Sequence, residues 1–488
     1  MITFLICLTI LIVGYFTYGK LVGKIVGHDD NKQTPAHRLK DGVDFVSMPW
    51  YRVFLIQFLN IAGTGPIFGA ISGALFGPVA FLWITFGALF AGATHDLLSG
   101  YISMKHDGAS VTELFGFYLG NKVKTFMRGF SVVLLVLVGT VFIASPAGLL
   151  ANLTGVNITI LTFAIVAYYL IATVLPVDKI IGKVYPLFGF AMLAMAVGLL
   201  GAMIIGSLNG SLHMQEMTFS HIHPANLSPF PFLFVTIACG AISGFHATQS
   251  PMMARCVNKE SETKRIFYGS MVIEGVVALV WCAVTIAFLG SSFNIGEIGG
   301  PSAVVNEVSF GLLGPVGMVL AVLGVVAAPI TSGDTAFRSA RLVIADAFKM
   351  EQRSVKNRFI LAIPLFAIGI ALTFVDFNII WRYFAFANQF LAMVMLWTGS
   401  VWLFKNGKTH WIASLPASFM TYVAVSYIIQ APEGFQLPGV LGNTLGILTA
   451  IGLLGWFVAY TKKNASAVEI ETMVSEPAGK LNPKTLKN

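Results

Sequence analysis

Two stretches of this 488-residue chain interrupt apolar runs with residues that could hold a small molecule. The first is AGTGPIFGA at 62–70, where Gly63, Thr64 and Gly65 precede a proline. Glycine and proline break a helix, and a half-helix restarting near Pro66 presents free N–H groups and a positive dipole end to a substrate carboxylate. The alternative is a glycine-rich surface packed on neighbouring helices. The second is GAISGFHATQSP at 240–251, with Ser243, Gly244, His246 and Gln249 beside its break. An ionisable side chain inside an apolar run is a functional candidate. His246 is therefore a substrate or proton contact, or else a neutral imidazole bonded to a backbone carbonyl. Four more groups belong to gating or proton coupling. His95 and Asp96 form an internal gate with a basic partner or orient a helix end. Glu274 makes an inter-helix hydrogen bond or carries a proton. Asp334 accepts a proton or pairs with Arg338 at i,i+4. Asn388 and Gln389 read as glue between helices.

The elements holding these residues follow from composition. Hydrophobic residues make up 56% of the chain and charged ones only 11%, against about 25% charged in soluble domains; mean hydropathy is +0.80. Such a surface must face hydrocarbon. Thirteen apolar runs can each span a bilayer: 2–22, 52–76, 79–103, 128–151, 158–175, 181–206, 231–256, 266–290, 312–335, 358–376, 381–404, 410–430 and 441–461. The first lacks the basic start and small-residue cleavage site of a signal peptide and reads as a retained helix. Of the 30 Lys and Arg residues, 29 fall in the odd-numbered connections, at their helix ends or in the tail, with Arg382 the exception. Basic residues mark the cytoplasmic side, which places the N-terminus outside and the C-terminus inside. The net charge of +8 is thus a topology signal and not a footprint for nucleic acid. Cys7, Cys239, Cys256 and Cys282 lie in or beside apolar runs and read as small apolar fillers.

The two interrupted runs open blocks of five helices each, which predicts inverted repeats. Residues 1–51 form an extra helix and cytoplasmic loop, 52–206 the first repeat, and 207–404 an outer loop and the second repeat. Residues 405–461 add two helices, and 462–488 a tail expected to be disordered. Ser110 and Glu113 have capping-box spacing and predict a short amphipathic helix within 105–127, with a counterpart in 291–311. The expectation is an all-α membrane protein whose layout resembles the LeuT-type fold of the amino acid–polyamine–cation transporters. In sodium-coupled members of that class, one helix supplies a carbonyl and, three and four residues on, two hydroxyls. The resemblance implies a cation site at Ala328, Thr331 and Ser332, completed by Ala62 and Gly65. The alternative is that the two hydroxyls back-bond to the turn around Pro329.

The strings AGTGPIFGA (62–70), LWITFGALFAGATHD (82–96), SMKHDGAS (103–110) and FNIIWRYFAFANQ (377–389) resemble the carbon starvation protein A family over residues 40–430. The resemblance implies a bacterial inner-membrane transporter linked to carbon starvation. Such a protein imports peptides or, in some members, pyruvate with protons, and needs no cofactor beyond a coupling H+ or Na+. Its partners would be a small-molecule substrate and membrane lipid. The chain departs from the family pattern at Gln57 and Phe58, where a His pair is usual, and at Gly69-Ala70, where a second Gly-Pro is usual. No HExxH, GxSxG or phosphate-binding loop occurs, which disfavours an enzyme or a nucleotide-driven pump. The outer histidines His213, His221 and His223 have no third metal ligand at a telling spacing. An amino-acid symporter, or a nutrient receptor that has kept the transporter fold, remains as the alternative.

Overall fold

The structure, a computed structural model, describes residues 1–42, 44–174, 177–218, 222–290, 293–352 and 354–464, with side chains for all of these except 174 and 177–186. The tail expected to be disordered lies outside the described residues from 465 on, as does His221. All regular structure among the described residues is helical. In chain order the helices are α1 (Ile2–Val26), α2 (Trp50–Ile61), α3 (Gly65–Gly73), α4 (Val79–Lys105) and α5 (Val111–Leu119). Next come α6 (Asn121–Thr154), α7 (Ile158–Val174), α8 (Val177–Leu208), α9 (Gly244–Ala254) and α10 (Glu260–Leu289). The last five are α11 (Pro301–Phe348), α12 (Val355–Leu372), α13 (Phe377–Lys405), α14 (Trp411–Gln430) and α15 (Gly439–Lys463).

Among the described residues ten helices are long and apolar enough to cross a bilayer, and the pair α2–α3, bent by 49°, makes an eleventh span. Thirteen spans were expected, and two runs account for the difference. The run at 158–175 is described with side chains only over Ile158–Thr173, within α7. The run at 231–256 is split, because helical pieces at 229–236 end before a non-helical segment and α9 begins only at Gly244. The short helix after α4 forms as α5, but without the capping box. Ser110 is its N-cap but makes no side-chain cap bond, its Oγ lying 3.1 Å from Thr112 Oγ1, and Glu113 is held by Lys124 and by Arg128 at 2.7 Å. The segment before Gly314 in α11 is also helical; Gly314 itself is not, with φ +58° and ψ −146°.

The helices sort into an inner set and an outer set. The apolar windows of α4, α6 and α10 are 83%, 78% and 78% buried inside the protein, whereas those of α1, α12 and α15 are 28%, 22% and 22% buried. The outer helices present Ile, Leu, Phe and Val to lipid, as hydrocarbon demands. The inner helices carry the Gly, Ala, Ser and Thr that let backbones approach closely. The four cysteines are buried and free.

One close approach positions the site. At Gly87–Gly92 the backbone of α4 widens into a π-helical turn, and a Cβ built on Gly92 would lie 2.2 Å from the carbonyl oxygen of Ala241. Only glycine lets α4 lean on the segment between the 229–236 stretch and α9. Gly92→Ala is expected to destabilise the protein by about 1–3 kcal/mol or more, since a backbone atom cannot step aside. Gly455→Ala on α15, where nothing lies within 4 Å, serves as the control. It is expected to leave stability within about 0.5 kcal/mol or raise it slightly. Thermal melts of the purified protein check both, and equal melting points for Gly92→Ala and the parent would refute the close approach.

Candidate functional site

The two breaks meet. A Cβ added at Gly65 would lie 2.4 Å from the Cβ of Cys239, and one added at Gly240 would lie 3.5 Å from the Cα of Pro66. A Cβ added at Gly63 would lie 2.6 Å from the Phe142 ring. Residues 62–64 leave the helix, Thr64 stands at the N-cap position of α3 without a side-chain cap bond, and Pro66 sits in its first turn where a missing N–H costs nothing.

At the second break four loosened backbone groups have side-chain partners from other helices. Trp83 Nε1 donates to the Ile237 carbonyl at 3.2 Å, and Gln389 Nε2 to the Phe234 carbonyl at 3.0 Å. The Gly240 N–H donates to Glu274 Oε1 at 3.2 Å, and Gly240 holds φ +87°. Asn388 Oδ1 accepts from the Phe245 N–H at 2.9 Å and from Ser243 Oγ at 2.8 Å, which caps α9 from α13. Its own amide donates to the Phe384 carbonyl at 2.9 Å. Asn388 and Gln389 are thus glue, as their position suggested, and the joint they hold is the break itself.

Beside this joint lies a buried ionisable network. His246 Nδ1 is 3.0 Å from Asp96 Oδ2, and His246 Nε2 is 3.4 Å from Glu274 Oε2. His95 Nδ1 is 2.7 Å from the other Asp96 oxygen. All four side chains are fully buried, and the three helices that carry them, α4, α9 and α10, close around the second break. His95 and Asp96 therefore have no Lys or Arg gate partner among their described contacts; the partner of Asp96 is His246. The contact extends one turn further, with Ser99 Oγ donating to Ser250 Oγ at 3.1 Å. Ser99 and Ser250 went unread in the sequence. Their spacing from Asp96 (i,i+3) and His246 (i,i+4) is the signal that would have found them. Gln249 donates to Thr248 Oγ1 at 2.9 Å, and its carbonyl oxygen has no hydrogen-bond partner.

The oxygens proposed for a cation lie elsewhere on the same assembly. Thr331 Oγ1 donates to the Ala328 carbonyl at 2.7 Å, the back-bonding alternative. Ser332 Oγ crosses to the Leu59 carbonyl at 3.1 Å. The turn 328–332 therefore touches the first broken helix through Leu59, one turn before the expected Ala62 and Gly65. Asp334 pairs with Arg338 at 3.2 Å, at i,i+4, apart from the His246 network. Two further amides were not placed in the site by their sequence: Gln57 is fully buried with both polar atoms unpartnered, and the Asn60 oxygen also lacks a partner. Buried amides left so are costly unless something else satisfies them.

An all-helical bundle built on two touching helix breaks is the architecture of the LeuT-type transporters, and solved members superpose on this chain. MhsT in complex with L-phenylalanine matches with a TM-score of 0.52 at 15% identity, covering 85% of this chain and 98% of that one. Mhp1, a nucleobase-cation-symport-1 family transporter, matches with a TM-score of 0.52 at 14% identity, covering 92% and 98%. At these identities the likeness concerns the fold. The profile of carbon starvation protein CstA matches residues 1–161, 145–309 and 300–427, and the chain belongs to that family. A membrane protein of Haemophilus influenzae with no assigned activity is 44% identical over 338 residues, covering 59% of this chain and 91% of that protein. The peptide transporter CstA of Bacillus subtilis is 30% identical over 338 residues, covering 56% of each chain. The pyruvate/proton symporter BtsT of Escherichia coli is 26% identical over 337 residues, covering 56% of this chain and 47% of that one. The match therefore spans about half the length of these named transporters. The chain is a multi-pass membrane protein of a transporter family, and its named relatives are transporters.

Asn388→Ala is expected to lower stability by about 1–3 kcal/mol, because it leaves the buried Phe245 N–H and Ser243 hydroxyl without their acceptor. A thermal melt checks it, and Asn388→Asp, which keeps an acceptor oxygen in place, is expected to recover part of the loss. A melting point unchanged in Asn388→Ala would show that the capping bond holds nothing.

Proposed function

We propose that this protein is a proton-coupled symporter that imports a small carboxylate such as pyruvate, or a short peptide, across a bacterial inner membrane, its N-terminus outside. The observation that carries the reading is the Asp96–His246–Glu274 network. It places three titratable groups, without a Lys or Arg among their described contacts, between the helices around one break. A proton arriving there changes the net charge of a dry site, and with it the strength with which α9 is tied to α4 and α10. The start of α3, with Gly63, Thr64 and Gly65, faces the same junction and offers N–H groups to a substrate carboxylate. Gly244 and Gln249 flank it on α9. The relatives named for peptide and for pyruvate/proton transport support both substrate classes and the coupling ion. The family name supports a role in carbon starvation.

A second reading, sodium coupling through Ala62, Gly65, Ala328, Thr331 and Ser332, is favoured by the bridge from Ser332 to Leu59. Uptake of labelled pyruvate and of a labelled dipeptide into proteoliposomes, under a proton gradient and separately under a sodium gradient, decides between them. Proton coupling predicts accumulation that rises as the outside is acidified. Glu274→Gln, which keeps the shape but removes the titration, is expected to cut that accumulation at least about tenfold (about 1.4 kcal/mol) while leaving exchange of substrate for substrate. Thr331→Ala with Ser332→Ala is expected to leave it within about twofold, roughly 0.4 kcal/mol. Accumulation driven by sodium and abolished by the Thr331→Ala and Ser332→Ala pair would move the coupling site to α11. No accumulation of either substrate under either gradient would remove the symport reading.

A further inference from the structure

Below Ser332, α11 turns a second polar face inward. Asp334, Arg338 and Arg341 recur at i, i+4 and i+7 and therefore share one side of the helix. Arg338 is accounted for, since Nη2 bonds Asp334 and also the Ala172 carbonyl at 3.1 Å, although its Nε has no partner. Arg341 is not accounted for. It is 5% exposed, its Nε has no hydrogen-bond partner, and no described residue pairs with it. Among the described residues, the charged groups whose fields reach it are Arg338, Arg358 and Asp334, three cations against one anion when Arg341 is counted. Arg358 is itself occupied at Nε by the Gln352 carbonyl at 2.7 Å. Burying the Nε of a guanidinium without an acceptor, beside described charges mostly of its own sign, is costly.

Both arginines line a cavity of about 10 Å³, together with Thr173, Asp334, Phe337, Ala362 and Phe366. That is room for roughly one water-sized particle, such as one oxygen of a carboxylate whose other atoms stay outside it. Guanidinium is the side chain whose fixed fork best matches such an anion. We propose that Arg341, with Arg338, forms a binding station for a compact monovalent anion, the carboxylate of the transported substrate. Arg341 lies nine residues along α11 from Ser332, a rise of about 13.5 Å, so the station is a second stop on the way from the helix breaks to the helix end. Asp334 keeps Arg338 partly neutralised and leaves Arg341 as the group an incoming carboxylate satisfies. The role assigned to the site rests on the transport reading; its ability to bind an anion does not.

The test uses the purified full chain in detergent, with melting temperature followed at fixed sodium and ionic strength as gluconate is replaced by acetate, pyruvate or chloride. Acetamide serves as the neutral control. The expected result is a saturable rise with acetate and pyruvate and none with acetamide. Arg341→Gln is expected to weaken the half-saturating concentration more than tenfold, and Arg341→Lys less. Ala362→Leu fills the cavity without touching a charge and is expected to abolish the response, which keeps the test decisive if Arg341→Gln fails to fold. A wild-type protein with no saturable response, or an Arg341→Gln variant that titrates like the parent, would overturn the site. Chloride acting as well as acetate would overturn the carboxylate assignment. A saturable response lost in Arg341→Gln, in a protein that accumulates nothing in vesicles, would keep the site and remove the transport reading.

Discussion

A helix broken in the middle of a membrane frees backbone groups that water is not there to satisfy, and the rest of this structure is organised around that debt. The second break is where the requirement is best seen. Trp83 on α4, Glu274 on α10, and Asn388 and Gln389 on α13 each reach into it, and each bonds a group that a continuous helix would have kept for itself. The order of packing follows. The helices that must supply these partners are the most buried ones, and their close approach requires glycine at Gly92, Gly240 and Gly244. The large apolar side chains are left to the outer helices, which contribute little besides a surface for lipid.

The same requirement explains why ionisable residues gather beside the break. Glu274 uses one oxygen on the Gly240 N–H and turns the other toward His246, so a single carboxylate joins backbone repair to the titratable network. Asp96 does likewise between His95 and His246. In a dry interior such groups are stable only as a set whose charges balance. A change at one of them is then felt on every helix the set connects.

Much of this was legible in the sequence, for reasons that can be named. The two breaks announce themselves because Gly and Pro are costly in a helix and stand out against Leu and Val; helices end at Ile61 and restart at Gly65 and Gly244, within a residue or two of where the motifs lie. Asp334 and Arg338 pair because four residues on a helix is one turn. The capping box at Ser110 misled, because local spacing says nothing of the more distant Lys124 and Arg128 that take Glu113. The partner of Asp96 could not be read at all. It lies 150 residues away, and no periodicity within one helix reports on a neighbour. Nor does an apolar run such as 231–256 reveal that it is folded as two pieces.

The unequal fastening of the two breaks has a mechanical consequence. To deform the second, hydrogen bonds from four separate side chains must be strained together, each worth about 1 kcal/mol net and more where a buried group is left bare. The first is fastened across helices by Ser332 on its Leu59 carbonyl and by Ser145 on the Thr64 hydroxyl, while Gln57 and Asn60 beside it keep polar atoms without partners. The junction therefore behaves as a stiff post with a loosely hung leaf, and compliance is concentrated on the side that carries Gly63, Thr64 and Gly65.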